Sequence, residues 1–393
     1  MFNDKMYELG SKRSAIRELF EFGKMRKKEV GDDCVFDFSL GNPNVPAPKC
    51  VNDAVRTLLE ACDDTTLHGY TSAQGAESVR LAVANNLKVQ SGLNYSKDLV
   101  YMTCGAAASL CITLRALCEE GDEFIVLAPY FPEYKVFISS QGGKCVEVPF
   151  DCNLNPNLDA LNNAISKKTK AVIINSPNNP SGVIYTQDTI DAIAKVLAKK
   201  SSELNTTIFI ISDEPYRELA YDVQVPAIAC AYNDTITCYS YSKSLSLPGE
   251  RIGYIAISPN CTMAKDIYLA LCGAGRALGY VCAPSTYQKV VEKCIDAKPD
   301  IQAYRKNRDL LYHSLCQIGY ECVRPDGAFY LLFKSLEPSS QDFCQRAKQY
   351  DLLLVACDDF GAQGYVRATY CVDYAMIARS IGAFEKLYNS YKK

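Results

Sequence analysis

The chain has 393 residues, 48% of them hydrophobic and 22% charged, with a formal net charge of -3. That length exceeds one simple core and implies two domains, or a large domain with an appendage, while the apolar share argues against disorder. The charge is close to neutral and forms no basic blocks, so nucleic acid is not expected as the main partner.

The first residues, MFNDKMYELGSKRS, carry no apolar stretch of the kind a secretory signal needs, so a cytoplasmic location is expected. No apolar run approaches the roughly 20 residues of a membrane span, and no membrane association is expected. Residues 15–28 read as a helix that leads to the Pro-rich segment GNPNVPAP. From residue 99 onward, strand-like and helix-like segments alternate. Residues 99–103 are a short apolar run, Gly105 turns the chain, and the Ala-rich residues 106–118 read as a helix. Further strands are expected at 123–127 (EFIVL), 145–150, 171–174, 207–212, 235–240 and 254–257, with helices between several of them, such as 188–200 (DTIDAIAKVLAKK). Continuous apolar runs such as IFII suit strands covered on both faces.

This α/β alternation predicts a three-layer αβα domain around a mostly parallel sheet. The last hundred residues differ. Helical stretches at 300–316 and 341–350 are interleaved with short strands at 328–333 and 365–368. A smaller α+β domain built from both chain ends, residues 1–50 and 290–393, is therefore expected beside a large domain of residues 51–289.

Nineteen cysteines are scattered along the chain, and no Cys-x-x-Cys occurs, the closest pair being Cys316 and Cys322. They read as reduced thiols that serve mainly as small buried side chains. His68 and His313 are the two histidines, so no metal site is expected and a Ser-His-Asp hydrolase is disfavoured.

In open α/β sheets, ligands collect beyond the carboxyl ends of the strands. Those ends carry Asp213-Glu214-Pro215-Tyr216, Asn175-Ser176-Pro177-Asn178-Asn179-Pro180-Ser181-Gly182, Ser240-Tyr241-Ser242-Lys243 and Ala128-Pro129-Tyr130-Phe131. The strand at 99–103 runs through Gly105 into a helix start, where free backbone N–H groups favour an anion. Each feature alone is ordinary: an Asp at a strand end usually caps a turn, Ser-x-x-Lys arises by chance, and an aromatic is usually core. Together they supply one crevice with an acid, an amine, an amide, an aromatic face and a phosphate cradle.

These residues resemble the fold type I pyridoxal-phosphate (PLP) aminotransferases of the class I/II group, over nearly the whole chain. The most specific stretch, SYSKSLSLPGERIGY from Ser240 to Tyr254, looks like the family's lysine signature. Asp213–Tyr216, Asn178–Gly182, Gly69-Tyr70 with Gly75 and Arg80, Gly327-Ala328-Phe329-Tyr330 and Val366-Arg367 match further blocks in the family's order.

The resemblance implies an aminotransferase that moves an amino group between an L-amino acid and a 2-oxo acid by a ping-pong mechanism. Lys243 would carry pyridoxal 5'-phosphate as a Schiff base and shuttle a proton between the substrate Cα and C4′. Asp213 would keep the ring nitrogen protonated, Tyr216 and Asn179 would hydrogen-bond the ring's phenolic oxygen, and Phe131 would stack on the ring. Gly105, the backbone N–H groups of Ala106 and Ala107, and the side chains of Ser240, Ser242 and Arg251 would hold the phosphate. Tyr70 would reach the phosphate of a neighbouring subunit, which implies a homodimer with shared active sites. Arg367, with Gly41 and Asn179, would bind the substrate, the arginine taking its α-carboxylate.

Phe131 departs from the Tyr or Trp frequent at its position, keeping the stack without a polar handle. Arg276 lies in the interval where some members place an arginine for a dicarboxylate substrate, but no motif aligns it, so aspartate, aromatic and alanine-type donors all stay open. A PLP lyase of the same fold, such as a C–S β-lyase or a cyclopropane-carboxylate synthase, is the alternative. A Ser240-x-x-Lys243 acyl hydrolase lacks its Lys-Thr-Gly element. A dinucleotide dehydrogenase built on Gly273-x-Gly275 meets Leu at position 278 and no preceding strand. A non-catalytic PLP-sensing module would tend to lose catalytic positions that are all present here.

Overall fold

A computed structural model of the chain describes residues 2–11 and 15–392. Its centre is a seven-stranded sheet of β2 (Val100–Thr103), β3 (Glu123–Leu127), β4 (Lys144–Val148), β5 (Thr169–Asn175), β6 (Phe209–Asp213), β7 (Thr235–Ser240) and β8 (Gly253–Ile257). β1 (Phe36–Asp37) precedes them and pairs in parallel with the much later β11 (Leu352–Leu353).

The order across the large sheet is β2-β8-β7-β6-β5-β3-β4. All strands run parallel except β8, which is antiparallel to both neighbours. The exception has a simple cause: β7 passes to β8 through a short segment with no long crossover helix, and only antiparallel neighbours can be joined that way. Period-two alternation divides the strand residues between two apolar layers. Phe124, Val126, Ala171, Ile173, Phe209 and Ile211 face the helices Ala106–Leu117 and Ala264–Ala277. Ile125, Leu127, Val172, Ile174 and Ile210 face Leu158–Ala164 and Gln187–Leu204 on the other side. The expected three-layer αβα arrangement is therefore present.

Boundaries shift by a residue or two. The strand expected at 207–212 is Phe209–Asp213, so the sheet carries Asp213 itself rather than ending just before it. Leu99 closes a short 3-10 turn instead of opening β2. The end of the expected 145–150 strand is lost because Pro149 cannot donate to the ladder.

The second unit is a four-stranded antiparallel sheet of β9 (Cys322–Val323), β10 (Tyr330–Lys334), β12 (Val355–Ala356) and β13 (Tyr365–Thr369), in the order β12-β13-β10-β9. The helices Ile301–Ile318 and Tyr374–Asn389 pack on it around Leu311, Leu315, Phe333, Phe384 and Leu387. Phe38, just after β1, joins the same core, so the N-terminal part of the chain packs with the C-terminal part. No helix among the described residues is long and apolar enough to cross a membrane.

Candidate active site

A cavity of about 280 Å³ opens where the carboxyl ends of β5, β6 and β7 meet the four-stranded sheet. Its wall includes Lys243, Asp213, Tyr216, Asn179, Arg367 and Phe131, together with Gly41, Ala106 and Ala107.

Parallel pairing builds the first part of this site. β6 lies between β5 and β7 with Asn175 opposite Asp213 and Asp213 opposite Cys238, so three chain segments deliver their last residues to one edge. Lys243 stands in the next helical turn, Tyr241–Ser244, which the Ser240 hydroxyl caps by accepting from the Ser242 N–H at 3.2 Å. Lys243 Nζ donates to the Gly41 carbonyl at 2.7 Å and lies 5.2 Å from the Phe329 ring centre. Burial pushes this amine down to about 8; the nearby Cys371 thiol opposes that shift and the Arg251 charge adds to it.

Asp213 is buried, and its Oδ2 accepts from the Tyr134 hydroxyl at 2.5 Å. Its Oδ1 is also buried and has no partner. Burial raises the carboxyl to about 7; the Tyr134 bond holds it back, and the neighbouring Glu214 carboxylate pushes further up. Tyr216 shares a hydrogen bond of 3.0 Å with the Tyr330 hydroxyl, and burial holds its phenol well above the ordinary range. The loop after β5 is fixed from within. The Asn175 side chain donates to the Asp213 carbonyl at 2.9 Å, and its Oδ1 accepts from the Asn179 N–H at 2.8 Å.

At the helix start, Gly105 has φ +90°, a conformation that L side chains rarely adopt. A Cβ there would sit 3.1 Å from an Arg251 guanidinium nitrogen and 3.5 Å from the Ser240 hydroxyl. The Ser240 and Ser242 hydroxyls are 2.7 Å apart. β8 brings Arg251 here, because its first residue, Gly253, pairs with both Thr103 and Ser240. The result is a hollow lined by two hydroxyls, a guanidinium and the first N–H groups of a helix.

Arg367 sits in β13 and is almost completely buried. One terminal nitrogen donates to Asn179 Oδ1 at 3.1 Å and the other to the Ser39 carbonyl at 2.7 Å, while Nε stays without a partner. The guanidinium lies 4.7 Å from the Tyr330 ring centre.

The structure places the expected residues either on the cavity wall or, for Gly105, Ser240, Ser242 and Arg251, together at the adjoining helix start, and leaves Tyr70 in neither group. That side chain is 88% exposed and does not line the cavity of its own chain. Gly41 differs in detail: its carbonyl meets Lys243, while Ser39 takes the arginine contact. Arg276 is exposed at the end of its helix and also lies outside the cavity wall. Sequence reasoning left Tyr134, Tyr330, Asn175 and Ser39 without a role.

The aminotransferase class I and II family model matches residues 34–384. A probable aspartate aminotransferase from Methanocaldococcus jannaschii is 28% identical, covering 96% of this chain and 97% of that protein. An amino transferase from Eubacterium rectale is similar in structure with a TM-score of 0.98 and 54% identity over the full length of both chains. The aspartate aminotransferase from Thermus thermophilus, solved with maleate, has a TM-score of 0.86 at 25% identity, covering 98% of this chain and 99% of that one.

Proposed function

Because this chain belongs to the class I and II aminotransferases and is a pyridoxal-phosphate-dependent enzyme moving an amino group between an amino acid and a 2-oxo acid, we propose that Lys243 holds the cofactor covalently and that the cavity around it is the reaction site. The donor set fits that cofactor. The unpartnered Asp213 Oδ1 is a buried acceptor suited to a protonated ring nitrogen. The hollow at Gly105, which a Cβ would fill, suits a phosphate at a helix N-terminus. Phe131 would cover the ring, while Tyr216 and Asn179 would donate to its phenolic oxygen.

Bound pyridoxal phosphate supplies a conjugated ring that accepts the electron pair released at the substrate Cα. The chain's own residues do the rest. Arg367 anchors the substrate α-carboxylate, with its buried Nε as a spare donor, and Gly41 and Asn179 border the same space. Lys243 would hold the cofactor and, as a neutral amine, would serve as the base for the proton at the substrate Cα. Its lowered basicity keeps a useful fraction neutral near physiological pH. Asp213 keeps a proton on the ring nitrogen. Ser240, Ser242, Arg251 and the N–H groups of Ala106 and Ala107 hold the phosphate in place.

The reading extends to a homodimer in which Tyr70, exposed and away from its own cavity, reaches the phosphate held by a second copy. It also divides the chain into residues 51–289, which hold the cofactor, and residues 1–50 with 290–393, which carry Gly41 and Arg367. Free thiols that include the exposed Cys34, Cys152, Cys230 and Cys316 suit the reducing cytoplasm.

The observation that carries the proposal is the convergence of Lys243, Asp213, Asn179 and Arg367 on one cavity from four separate segments. Borohydride reduction of the coloured holoenzyme, with peptide mapping of the product, should label Lys243; a label on another lysine would refute the assignment. A half-transamination screen then reads the chemistry: conversion to the pyridoxamine form supports transfer, while pyruvate and ammonia without it would mean a lyase.

A further inference from the structure

We infer that Arg217 is a positioning residue for Lys243: from outside the cofactor cavity, it ties the turn that carries the lysine to the strand end that carries Asp213. This role presupposes the cofactor attachment proposed for Lys243 and uses a charge cluster that the proposed chemistry leaves idle. Arg217, Glu214, Glu218 and Tyr239 do not line the cavity, although Glu214 follows Asp213 directly in the chain. Two carboxylates stand here against one guanidinium, with side chains at most 19% exposed. Such a cluster carries a desolvation cost that apolar residues of similar size would avoid. Stability alone is a poor account of it.

A continuous chain of contacts crosses the cluster. The Ser212 hydroxyl, on β6, donates to one oxygen of Glu214 at 2.6 Å, and Arg217 Nη1 donates to the other at 3.0 Å. Arg217 Nε donates to Glu218 at 3.1 Å. The Tyr239 hydroxyl, on β7, donates to the second Glu218 oxygen at 2.8 Å and stands 2.8 Å from the hydroxyl of Ser244, the residue after Lys243. Burial holds the Tyr239 phenol well above its ordinary range, which keeps it a donor. Arg217 Nη2 donates to the Tyr254 hydroxyl on β8 at 3.0 Å, and the guanidinium lies 4.3 Å from the Tyr239 ring centre. Every nitrogen of the guanidinium is engaged.

The two ends of this chain of contacts differ in freedom. Asp213 is fixed by ladder pairing with β5 and β7 and by the Tyr134 hydroxyl. Lys243 stands past the end of β7 in the turn Tyr241–Ser244, only 4 residues long. A helical turn that short keeps its place through tertiary contacts rather than its own hydrogen bonds. Releasing the tie should therefore loosen the lysine and spare the acid. Burial is the main cause that brings the Lys243 amine to about 8, so a looser turn that admits water moves it back up. The Cys371 thiol and the Arg251 charge also act on this amine, and neither is touched by changes at Arg217 or Tyr239.

The test compares cofactor-free wild type with Arg217→Met, Arg217→Lys and Tyr239→Phe. One readout is the rate of pyridoxal phosphate capture and its pH midpoint. The other is affinity for pyridoxamine 5'-phosphate, which lacks the aldehyde that Lys243 attacks. In Arg217→Met, capture should slow by on the order of tenfold while pyridoxamine phosphate affinity stays within about threefold. The capture midpoint should rise from about 8 to roughly 9. Arg217→Lys keeps the charge but cannot span both glutamates and Tyr254, so it should recover no more than about half of the loss. Tyr239→Phe keeps the ring and cuts the tie at one hydroxyl; it should slow capture about threefold, and it decides the matter if Arg217→Met does not fold. Folded variants with the wild-type rate and midpoint, whatever their melting temperature, would overturn the inference and make the cluster purely structural. So would full recovery in Arg217→Lys, or a parallel loss of pyridoxamine phosphate affinity. If the wild-type protein itself captures no pyridoxal phosphate, the proposed function fails, a different result from an idle Arg217.

Discussion

The Tyr134 hydroxyl donates to one oxygen of Asp213 at 2.5 Å and leaves the other, Oδ1, as the oxygen free to meet a ligand. Tyr134 is itself buried, so its ring fixes the direction in which that free oxygen points. Removing the hydroxyl with Tyr134→Phe keeps the ring and releases the carboxylate. Cofactor affinity should fall by roughly 5–50-fold, the cost of one charge-assisted hydrogen bond. Equilibrium dialysis of pyridoxal phosphate measures this, and affinity equal to wild type would make the Tyr134 bond incidental.

Asp213 also sets a pH dependence in the cofactor-free protein. Burial raises its carboxyl from 3.8 to about 7, so between those values the folded chain holds a proton that the unfolded chain has released. The stabilising contribution is complete below about 4 and disappears as pH rises through about 7. The wild-type melting temperature should therefore decline across that window relative to Asp213→Asn. Parallel melting profiles for the two proteins would contradict the assignment.

Lys243 predicts a kinetic titration. Its amine must be neutral to attack the cofactor aldehyde, and burial has brought it to about 8. The rate at which cofactor-free protein captures pyridoxal phosphate should climb with pH and reach half its maximum near 8. A midpoint near 10.5, the value of an ordinary lysine, would show that the amine is not held as described.

Arg367→Lys separates substrate anchoring from cofactor binding. The planar fork that contacts both Asn179 and Ser39 is replaced by a single ammonium. The KM for the amino donor should rise by on the order of 10–100-fold while cofactor affinity changes by less than about threefold. A large loss of cofactor with an unchanged KM would place Arg367 at the wrong ligand.

At Gly41, an added Cβ would collide with the Tyr330 hydroxyl, which bonds Tyr216. Gly41→Ala must displace either that tyrosine or the carbonyl that holds Lys243. A fall in kcat/KM on the order of 100-fold is expected from so small a displacement of reacting groups. A steady-state assay with full activity would mean the loop yields freely.

Much of this site is legible in the sequence, and the reason is topological. Parallel strands project their carboxyl ends to one edge, so Asp213, Asn179 and Lys243 are gathered by reading the residues at the end of each apolar run. Arg251 requires the lysine signature, because nothing in strand periodicity says that β8 turns back. Tyr134 and Ser39 are not legible as partners. Their contacts depend on how a helix rotates over the sheet and how an extended N-terminal segment meets β13, and both are settled by packing between residues distant in the chain. Tyr70 is legible as a motif, yet a single chain leaves it in solvent.

Arg367 joins the extended segment at Ser39 and the loop at Asn179 while standing in a strand of the C-terminal sheet. A carboxylate seated on that guanidinium therefore bridges three parts of the chain through one planar group. Reciprocity then applies: whatever strain separates those parts weakens substrate affinity by the same free energy with which bound substrate resists separation. A carboxylate ligand should slow protease cleavage around residues 39–41 as well as occupy the cavity, which makes the enzyme's substrate a clasp on its own architecture.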